Sequence, residues 1–182
     1  MHEKRFDGSA DKLRSEKRLA LLEVDQVINL TLQGVEAASM VDVGIGSGLF
    51  AEGFRNRGLQ VAGVDVSQEM LNLAARHVPG AILRLGLAEE LPFHDGYCDL
   101  VFMGLLLHET DSPLQALKEA HRVGCQRTAV LEWYYVADQA FGPPLEHRLP
   151  EAVIKELSRQ AGFKQYTKYP LSNLVLYILD VV

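Results

Sequence analysis

The sequence lacks most of the features that mark metal-binding, membrane or nucleic-acid-binding proteins. Its two cysteines, Cys98 and Cys125, stand far apart, and its six histidines are dispersed, so no metal-ligand spacing is present. Lysine and arginine number 18 against 24 acidic residues, and the net charge of −6 argues against a nucleic-acid partner. No run reaches the roughly 18 apolar residues that a membrane span needs. The first residues, MHEKRFD, lack the apolar core of a signal peptide, so we expect a cytoplasmic protein without a metal.

The length and apolar content of the chain suit one globular domain. The chain has 182 residues, of which 48% are hydrophobic, enough for a full core. Strand-like and helix-like segments alternate along it, which predicts an α/β fold. We therefore predict a single domain over residues 1–182, with a Rossmann-like, seven-stranded, mostly parallel sheet, helices on both faces and a C-terminal antiparallel strand pair.

Apolar patterning, with Gly, Pro and Ser at segment ends, places the individual elements. A first helix is predicted over residues 13–32, where apolar residues recur at helical spacing. Ser47, Ser67 and either Asp111 or Ser112 are the predicted N-caps of later helices. Those helices are predicted over residues 49–57, 68–77, 113–123 and 150–160. The strands are predicted over residues 40–43, 60–64, 81–85, 100–103, 128–133, 163–169 and 174–181.

A glycine-rich turn follows the first predicted strand, in the sequence VDVGIGSGLF at residues 41–50. Glycines at 44, 46 and 48 let the backbone turn sharply and pass close to a ligand without Cβ clashes. Asp65 ends the next strand, about 20 residues beyond Gly44, where an acid can accept both hydroxyls of a ribose. This layout predicts a nucleoside-binding unit; the alternative is a tight strand-to-helix connection with no ligand.

The spacing of the glycines restricts which class of nucleotide or nucleoside the site can bind. A dinucleotide fingerprint, G-x-G-x-x-G, would need glycine at position 49, which is Leu49. Asp42 lies two residues before the first glycine, where its charge would repel a pyrophosphate but attract an ammonium group. The site is therefore predicted to bind a nucleoside with a cationic, amino-acid-like tail, and a nicotinamide oxidoreductase is disfavoured.

Over residues 39–182 the chain resembles the class I S-adenosylmethionine-dependent methyltransferases, and most of all the small-molecule branch that includes the ubiquinone and menaquinone methyltransferases. Four stretches carry the resemblance: VDVGIGSGLF at 41–50, VDVS at 64–67, GLAEELPF at 86–93 and DLVFMGLLLH at 99–108. The resemblance implies S-adenosyl-L-methionine as cofactor and methyl transfer to a small-molecule acceptor. A non-catalytic regulator that binds the same cofactor is the alternative.

The resemblance also implies which residues bind the cofactor. They are Asp42, Gly44, Ile45, Gly46, Gly48, Asp65, Val66, Met70, Leu87, Ala88 and Gly104. One of them departs from the family pattern, because Leu87 stands where Gly-Asp-Ala carries an acid that holds the adenine amino group. A leucine cannot accept that hydrogen bond, although the N–H of Ala88 can still bond the ring and Glu89 lies close enough in sequence to substitute.

Methyl transfer from a sulfonium donor requires few catalytic groups from the protein. The methyl group is already activated, so orientation does most of the work, and a base is needed only for an acceptor that must lose a proton. The candidates for such a base are His108, Glu109, Glu132 and Tyr134. His108 is preferred because its pKa suits neutral pH; the alternative is a histidine at a helix end that bonds the backbone or packs near the cofactor.

Loops after the fourth and fifth strands are expected to face the acceptor. These loops are residues 104–109 and 133–142, where Tyr134 and Tyr135 either line an aromatic pocket or pack structurally. The N-terminal segment, residues 1–34, is a candidate lid, with residues 6–13 folding over the site or remaining a disordered tail.

Overall fold

The computed structural model describes residues 14–137 and 139–182. The helices found there are α1 (Glu16–Leu22), α2 (Val24–Leu32), α3 (Leu49–Arg55), α4 (Gln68–His77), α5 (Pro113–Val123) and α6 (Glu151–Ala161). The strands are β1 (Ser39–Val43), β2 (Gln60–Asp65), β3 (Ile82–Leu85), β4 (Cys98–Gly104), β5 (Gly124–Trp133), β6 (Gln165–Pro170) and β7 (Leu174–Asp180). Single 3₁₀ turns span Leu107–Glu109 and Leu145–His147.

The strands form one seven-stranded sheet in the order β3-β2-β1-β4-β5-β7-β6. Strands β1 to β5 run parallel, whereas β7 pairs antiparallel with both β5 and β6. The predicted fold is therefore confirmed, including the C-terminal antiparallel pair. Strand order reverses beside β1, whose neighbours are β2 and β4, and a ligand crevice opens at such a point.

Both faces of the sheet are covered, and strand β4 shows why its sequence reads as a continuous apolar run. Successive side chains of a strand point to opposite faces. Phe102 packs with residues of α2 and α3, such as Ile28 and Phe54, while Met103 packs with residues of α5 and α6, such as Leu117. All of these side chains are fully buried, so an alternating polar pattern has no place in this strand.

The predicted first helix is wrong in one respect, because the structure breaks it at Glu23. Glu23 has φ 46° and ψ 46°, so α1 ends and α2 begins on either side of a single left-handed residue. Its carboxylate accepts hydrogen bonds from the backbone N–H (2.9 Å) and the hydroxyl (3.1 Å) of Ser172, in the turn between β6 and β7. Apolar spacing continues across the break, so periodicity alone could not reveal it. Residue 13 and the proposed lid at residues 6–13 lie outside the described residues.

The predicted caps are right at two helices and wrong at one. Ser67 and Ser112 cap α4 and α5, since their side chains accept from the backbone N–H groups of Met70 and Gln115. Ser47, however, does not cap α3, because Gly48 is the N-cap and makes no side-chain bond. Gly48 has φ 75°, and a Cβ there would lie 2.9 Å from Val78 Cγ2, so the turn needs glycine at the position next to the helix.

No helix in the described ranges has both the length and the apolar character that crossing a bilayer requires.

Candidate active site

A cavity of about 1290 Å³ opens at the carboxyl ends of the central parallel strands. Val43 of β1, Asp65 of β2 and Gly104 of β4 all line it. These are the strands on either side of the reversal in strand order, where open α/β sheets bind their ligands. The cavity therefore lies where the sequence predicted the site.

Asp65 is held in a fixed orientation at the cavity wall. The backbone N–H of Gly46 donates to its Oδ2, and the backbone N–H of Ser67 donates to its Oδ1, both at 2.9 Å. Each carboxylate oxygen has a further lone pair after these bonds. A carboxylate oriented in this way can still accept two hydroxyl groups from a ligand in the cavity.

The glycine-rich turn contributes two of its three glycines to the cavity wall. Gly44 and Gly46 line the cavity and have φ values of 70° and 52°. A Cβ on Gly44 would lie 2.9 Å from Leu106 Cδ1, so its absence also lets the loop after β4 approach. Gly48 and Ile45 do not line the cavity, and Ile45 is buried instead. Contact of these two residues with a cofactor stays a prediction. Both pack on the side of the turn that does not face the cavity and help to fix its conformation.

Asp42 lies behind the turn as well, with only 3% of its surface exposed, and does not line the cavity. Burial raises the pKa of Asp42 to about 8, the nearby charge of Asp65 adds to the rise, and a backbone hydrogen bond from Ala51 opposes it. The carboxyl group is therefore mainly protonated at neutral pH. The structure does not bring Asp42 to a position where it faces a ligand ammonium directly.

Replacing Asp42 with asparagine is expected to make the protein more stable at alkaline pH. Because folding raises the pKa of Asp42, its contribution to the free energy of unfolding is complete below the ordinary value near 4 and is lost as pH rises through about 8. Asparagine cannot ionise, so Asp42→Asn should escape this loss. Thermal melts should show a midpoint higher by several degrees at about pH 9, since each kcal/mol is worth about 2–4 °C, and a smaller gap at about pH 4. A gap independent of pH, or one also seen for the exposed Asp25→Asn, would contradict this.

An apolar slot forms another part of the cavity wall. Val66, Met70, Leu87 and Ala88 line it, and Val66 and Leu87 are each 44% exposed, which is high for large apolar side chains. Such exposure suits a surface that a flat ring covers. Glu89 also lines the cavity, but its Oε1 accepts from the backbone N–H groups of Asp111 (2.8 Å) and Ser112 (3.2 Å), which accounts for its position at the start of α5.

Leu87→Asp should leave binding of S-adenosylmethionine unchanged or tighten it by up to about tenfold. The new carboxylate can accept from the adenine amino group, a bond worth about 1 kcal/mol, while the apolar contact of Leu87 is lost. Any gain should disappear with an analogue in which inosine replaces adenosine, because that base has no amino group. Calorimetry with both ligands separates the two effects. Loss of binding by a folded Leu87→Asp protein would show that the apolar contact of Leu87 with the adenine ring is essential for binding.

Helix α1 and the loop after β5 also line the cavity. Lys17, Arg18 and Leu21 of α1 line it, as do Phe141 and Pro143 of the loop. Arg14, which precedes Ser15, the N-cap of α1, connects this helix to the glycine-rich turn. The guanidinium of Arg14 donates to the backbone oxygen of Ser47 (3.1 Å) and pairs with Glu52 (2.7 Å). Of the N-terminal segment that the sequence makes a candidate lid, residues 1–34, the described part thus contributes α1 as one wall of the cavity.

Arg148 holds the loop after β5 in place. It is only 6% exposed, and its guanidinium donates to the backbone oxygens of Pro143 (2.8 Å), Phe141 (2.9 Å) and Tyr134 (3.0 Å). Tyr134 itself points away, because its hydroxyl donates to the backbone oxygen of Leu171 (2.9 Å), and it does not line the cavity. Tyr135 is also absent from the lining and is 49% exposed. Of the two readings open for these tyrosines, the structural one fits Tyr134.

His108 lies at the cavity wall and pairs with Glu132, another of the predicted candidates. The two side chains are 3% and 1% exposed, and His108 Nδ1 lies 2.7 Å from Glu132 Oε2. Glu132 also accepts from the backbone N–H groups of His108 (3.1 Å) and Trp133 (3.3 Å). The sequence names both residues but does not pair them. The pairing follows from the adjacency of β4 and β5, because His108 follows β4 and Glu132 lies near the end of β5.

The surroundings of His108 raise its pKa. Burial alone would lower the pKa of this imidazole, but the hydrogen bond and charge of Glu132, helped by Glu109, outweigh burial, while Arg148 opposes them. An imidazole beside a buried carboxylate gains basicity because the cationic form is stabilised. The ring is therefore equipped to take up a proton at the cavity wall.

Comparison with known proteins finds similarity to methyltransferases, in agreement with the motifs and the fold. A methyltransferase domain family matches residues 41–129. The demethylmenaquinone methyltransferase of Chlorobaculum tepidum is 27% identical, over 81% of this chain and 75% of its own length. An uncharacterized methyltransferase of Mycobacterium tuberculosis is 36% identical over 87 residues, but the chain covers only 35% of it. The crystal structure of a SAM dependent methyltransferase from Aquifex aeolicus superimposes with a TM-score of 0.85 at 23% identity, covering 98% of this chain and all of that one.

The motifs, the strand order and these matches together make the chain similar to the class I S-adenosylmethionine-dependent methyltransferases.

Proposed function

We propose that the protein transfers the methyl group of S-adenosylmethionine to a small-molecule acceptor bound in the same cavity. The observation that carries the proposal is the size of the cavity and the character of its lining. Its volume of about 1290 Å³ exceeds the roughly 300–1,000 Å³ of most single-ligand pockets. The oriented Asp65 and the apolar slot line it, and so do His108 and residues of α1 and of the loop after β5.

The cofactor is proposed to lie along the carboxyl ends of β1 and β2. Asp65 accepts the ribose hydroxyls, and the adenine ring enters the slot of Val66, Met70, Leu87 and Ala88. The amino-acid tail passes Gly44 and Gly46, and the methyl group faces the loop that starts at Gly104. Asp42, Ile45 and Gly48 act from behind by fixing the shape of the turn.

The acceptor is proposed to be a small organic molecule. Leu21, Phe141 and Pro143 give its end of the cavity an apolar wall, and Lys17, Arg18 and Glu109 add charged groups. The net charge of −6 gives no support to a nucleic-acid acceptor. One relative is named as a demethylmenaquinone methyltransferase, which supports a small-molecule acceptor in general. A cytoplasmic location and a single domain over residues 1–182 stay predictions.

His108 is proposed to be the catalytic residue for acceptors that release a proton. Its ring lines the cavity on the acceptor side, and its raised pKa makes it a stronger base than an ordinary histidine. Orientation of the acceptor in line with the methyl carbon and the sulfur supplies the rest of the catalysis.

The proposal is tested by mixing purified protein, methyl-labelled cofactor and a cell extract, then separating small molecules from macromolecules. Label is expected in the small-molecule fraction and should be absent when Asp65→Ala protein replaces the wild type at low cofactor concentration. Label in protein or RNA alone would contradict the proposed acceptor class. Tight cofactor binding by calorimetry with no labelled product would favour the alternative, a non-catalytic cofactor-binding regulator.

A further inference from the structure

The two ring nitrogens of His108 have different surroundings. Nδ1 lies 2.7 Å from Glu132 Oε2, within hydrogen-bond distance, inside the protein. Nε2 lies 3.8 Å from Glu109 Oε1, which is too long for a hydrogen bond, and both His108 and Glu109 line the cavity. A carboxylate can only accept, so the short contact requires the proton on Nδ1. The neutral ring then has its lone pair on Nε2.

From this geometry we infer that Glu132 is a positioning residue, which fixes His108 in the Nδ1–H tautomer and aims the basic Nε2 at the acceptor. The inference rests on the proposed methyl transfer and deepens it, because it defines the acceptor class. The acceptor carries a proton on the atom that is methylated, such as a hydroxyl, an amine or an acidic C–H group. Thioethers and tertiary amines, which have no such proton, fall outside this class.

The transfer step balances with these groups alone. A lone pair or developing carbanion of the acceptor atom forms a bond to the methyl carbon, and the carbon–sulfur bond breaks with its electron pair going to sulfur. The sulfonium becomes the neutral thioether S-adenosylhomocysteine. The proton of the acceptor goes to Nε2 of His108, and the resulting imidazolium is paired with the charge of Glu132. No oxidant, reductant or metal enters the step.

The charged groups near the ring come from four parts of the chain. Glu132 lies at the end of β5, Glu109 follows His108 in the 3₁₀ turn, and Arg148 precedes α6. Arg18 of α1 interacts electrostatically with Glu109, and His147 lines the same cavity. Among these groups Glu132 has the hydrogen bond and the larger effect on the imidazole, so it should dominate the titration of His108.

A purely structural role for Glu132 is the competing explanation, because it also accepts the backbone N–H groups of His108 and Trp133. Glu132→Gln separates the two roles. Glutamine keeps nearly the same shape and one acceptor oxygen, so it can still accept from the backbone N–H of His108 and loses only the longer bond from that of Trp133. It carries no charge, however, and therefore cannot stabilise the imidazolium in the same way.

The test is the pH dependence of methyl transfer, measured with the small-molecule fraction that the wild-type protein labels. The rate should rise with pH as His108 loses its proton. Glu132→Gln should move the midpoint of this rise to lower pH by about one unit or more, because the opposite charge is gone. The plateau should also fall at least about tenfold, since a base contributes about 10²–10⁴-fold when it is well oriented. Glu109→Gln, at the longer distance, should move the midpoint less.

A second measurement needs no acceptor. Nitrogen-15 NMR of histidine-labelled protein, with the His108 signals assigned from their loss in His108→Gln, should show a protonated Nδ1 and an unprotonated Nε2 above the midpoint. Glu132→Gln should lower the midpoint of that titration. A folded Glu132→Gln protein with an unchanged titration or an unchanged pH–rate midpoint would overturn the inference. Absence of any methyl transfer by the wild type, with the NMR result as expected, would instead overturn the proposed function alone.

Discussion

His108→Ala is expected to lower the rate constant of methyl transfer by about 10²–10⁴-fold, with little change in affinity for S-adenosylmethionine. Alanine removes the base and leaves the carboxylate of Glu132, which is 1% exposed, without the imidazole it pairs with at 2.7 Å. Cofactor contacts should survive, because Asp65 ends β2 and the residues of the apolar slot follow β2 and β3, whereas His108 follows β4. Single-turnover rates at saturating cofactor, together with calorimetry, measure the two effects separately.

His147→Ala is the matched control, because His147 also lines the cavity but belongs to a different loop and has no such carboxylate contact described. Its rate should fall much less. A loss below about tenfold for His108→Ala would mean that His108 is not the base and that orientation of the acceptor supplies most of the catalysis. A melt of His108→Ala must accompany the rates, since loss of a buried partner is destabilising.

Asp65→Ala should weaken binding of S-adenosylmethionine by about 1–3 kcal/mol, or about 5–150-fold. The carboxylate is the proposed acceptor for the ribose hydroxyls, and it also orients the turn through the N–H groups of Gly46 and Ser67. Loss of both functions places the expected effect toward the upper end. Calorimetry of wild type and variant with the demethylated product, S-adenosylhomocysteine, measures it without turnover.

A deoxyribose analogue of the product separates the two functions of Asp65. If the carboxylate binds the hydroxyls, removing them should weaken binding to the wild type but change little for Asp65→Ala. Equal losses in both proteins would show that Asp65 acts only through the turn. Unchanged affinity in a folded Asp65→Ala protein would remove Asp65 from the site.

Much of the fold could be predicted because local chemistry and overall topology agree. The glycines of the turn, the acid at the end of β2 and the serine caps of α4 and α5 each follow from the residue that stands at the position. The sheet was predictable as well, since an apolar run such as that of β4 needs cover on both faces. Segments of this kind specify their structure through neighbours in the sequence.

Residues with unusual backbone conformations were not predictable. Glu23 and Leu105 have positive φ values of 46° and 57°, which non-glycine residues rarely adopt. Glu23 is held by Ser172, which lies 149 residues further on, and the N–H of Leu105 donates to the backbone oxygen of Leu131 at 2.8 Å. Long-range contacts impose both conformations, and the first separates α1 from α2 while the second begins the loop that carries His108.

The candidate site was predicted unevenly for the same reason. The sequence locates residues that lie in one motif, such as Gly44, Gly46 and Val66. It does not show that Asp42 lies behind the turn, that α1 closes the cavity, or that His108 meets Glu132. These facts depend on which strands are neighbours and on how tightly each side chain is buried, and both are properties of the assembled sheet.

A crystal structure of the protein with S-adenosylhomocysteine tests the proposed site most directly. The ribose hydroxyls should lie about 2.5–3.2 Å from the carboxylate of Asp65, with the adenine against Val66 and Leu87. The sulfur should face the space beside His108, with Nδ1 of the ring still bonded to Glu132. A ribose that turns away from Asp65 would contradict the cofactor site, and a sulfur separated from His108 by other side chains would contradict the catalytic role of the histidine.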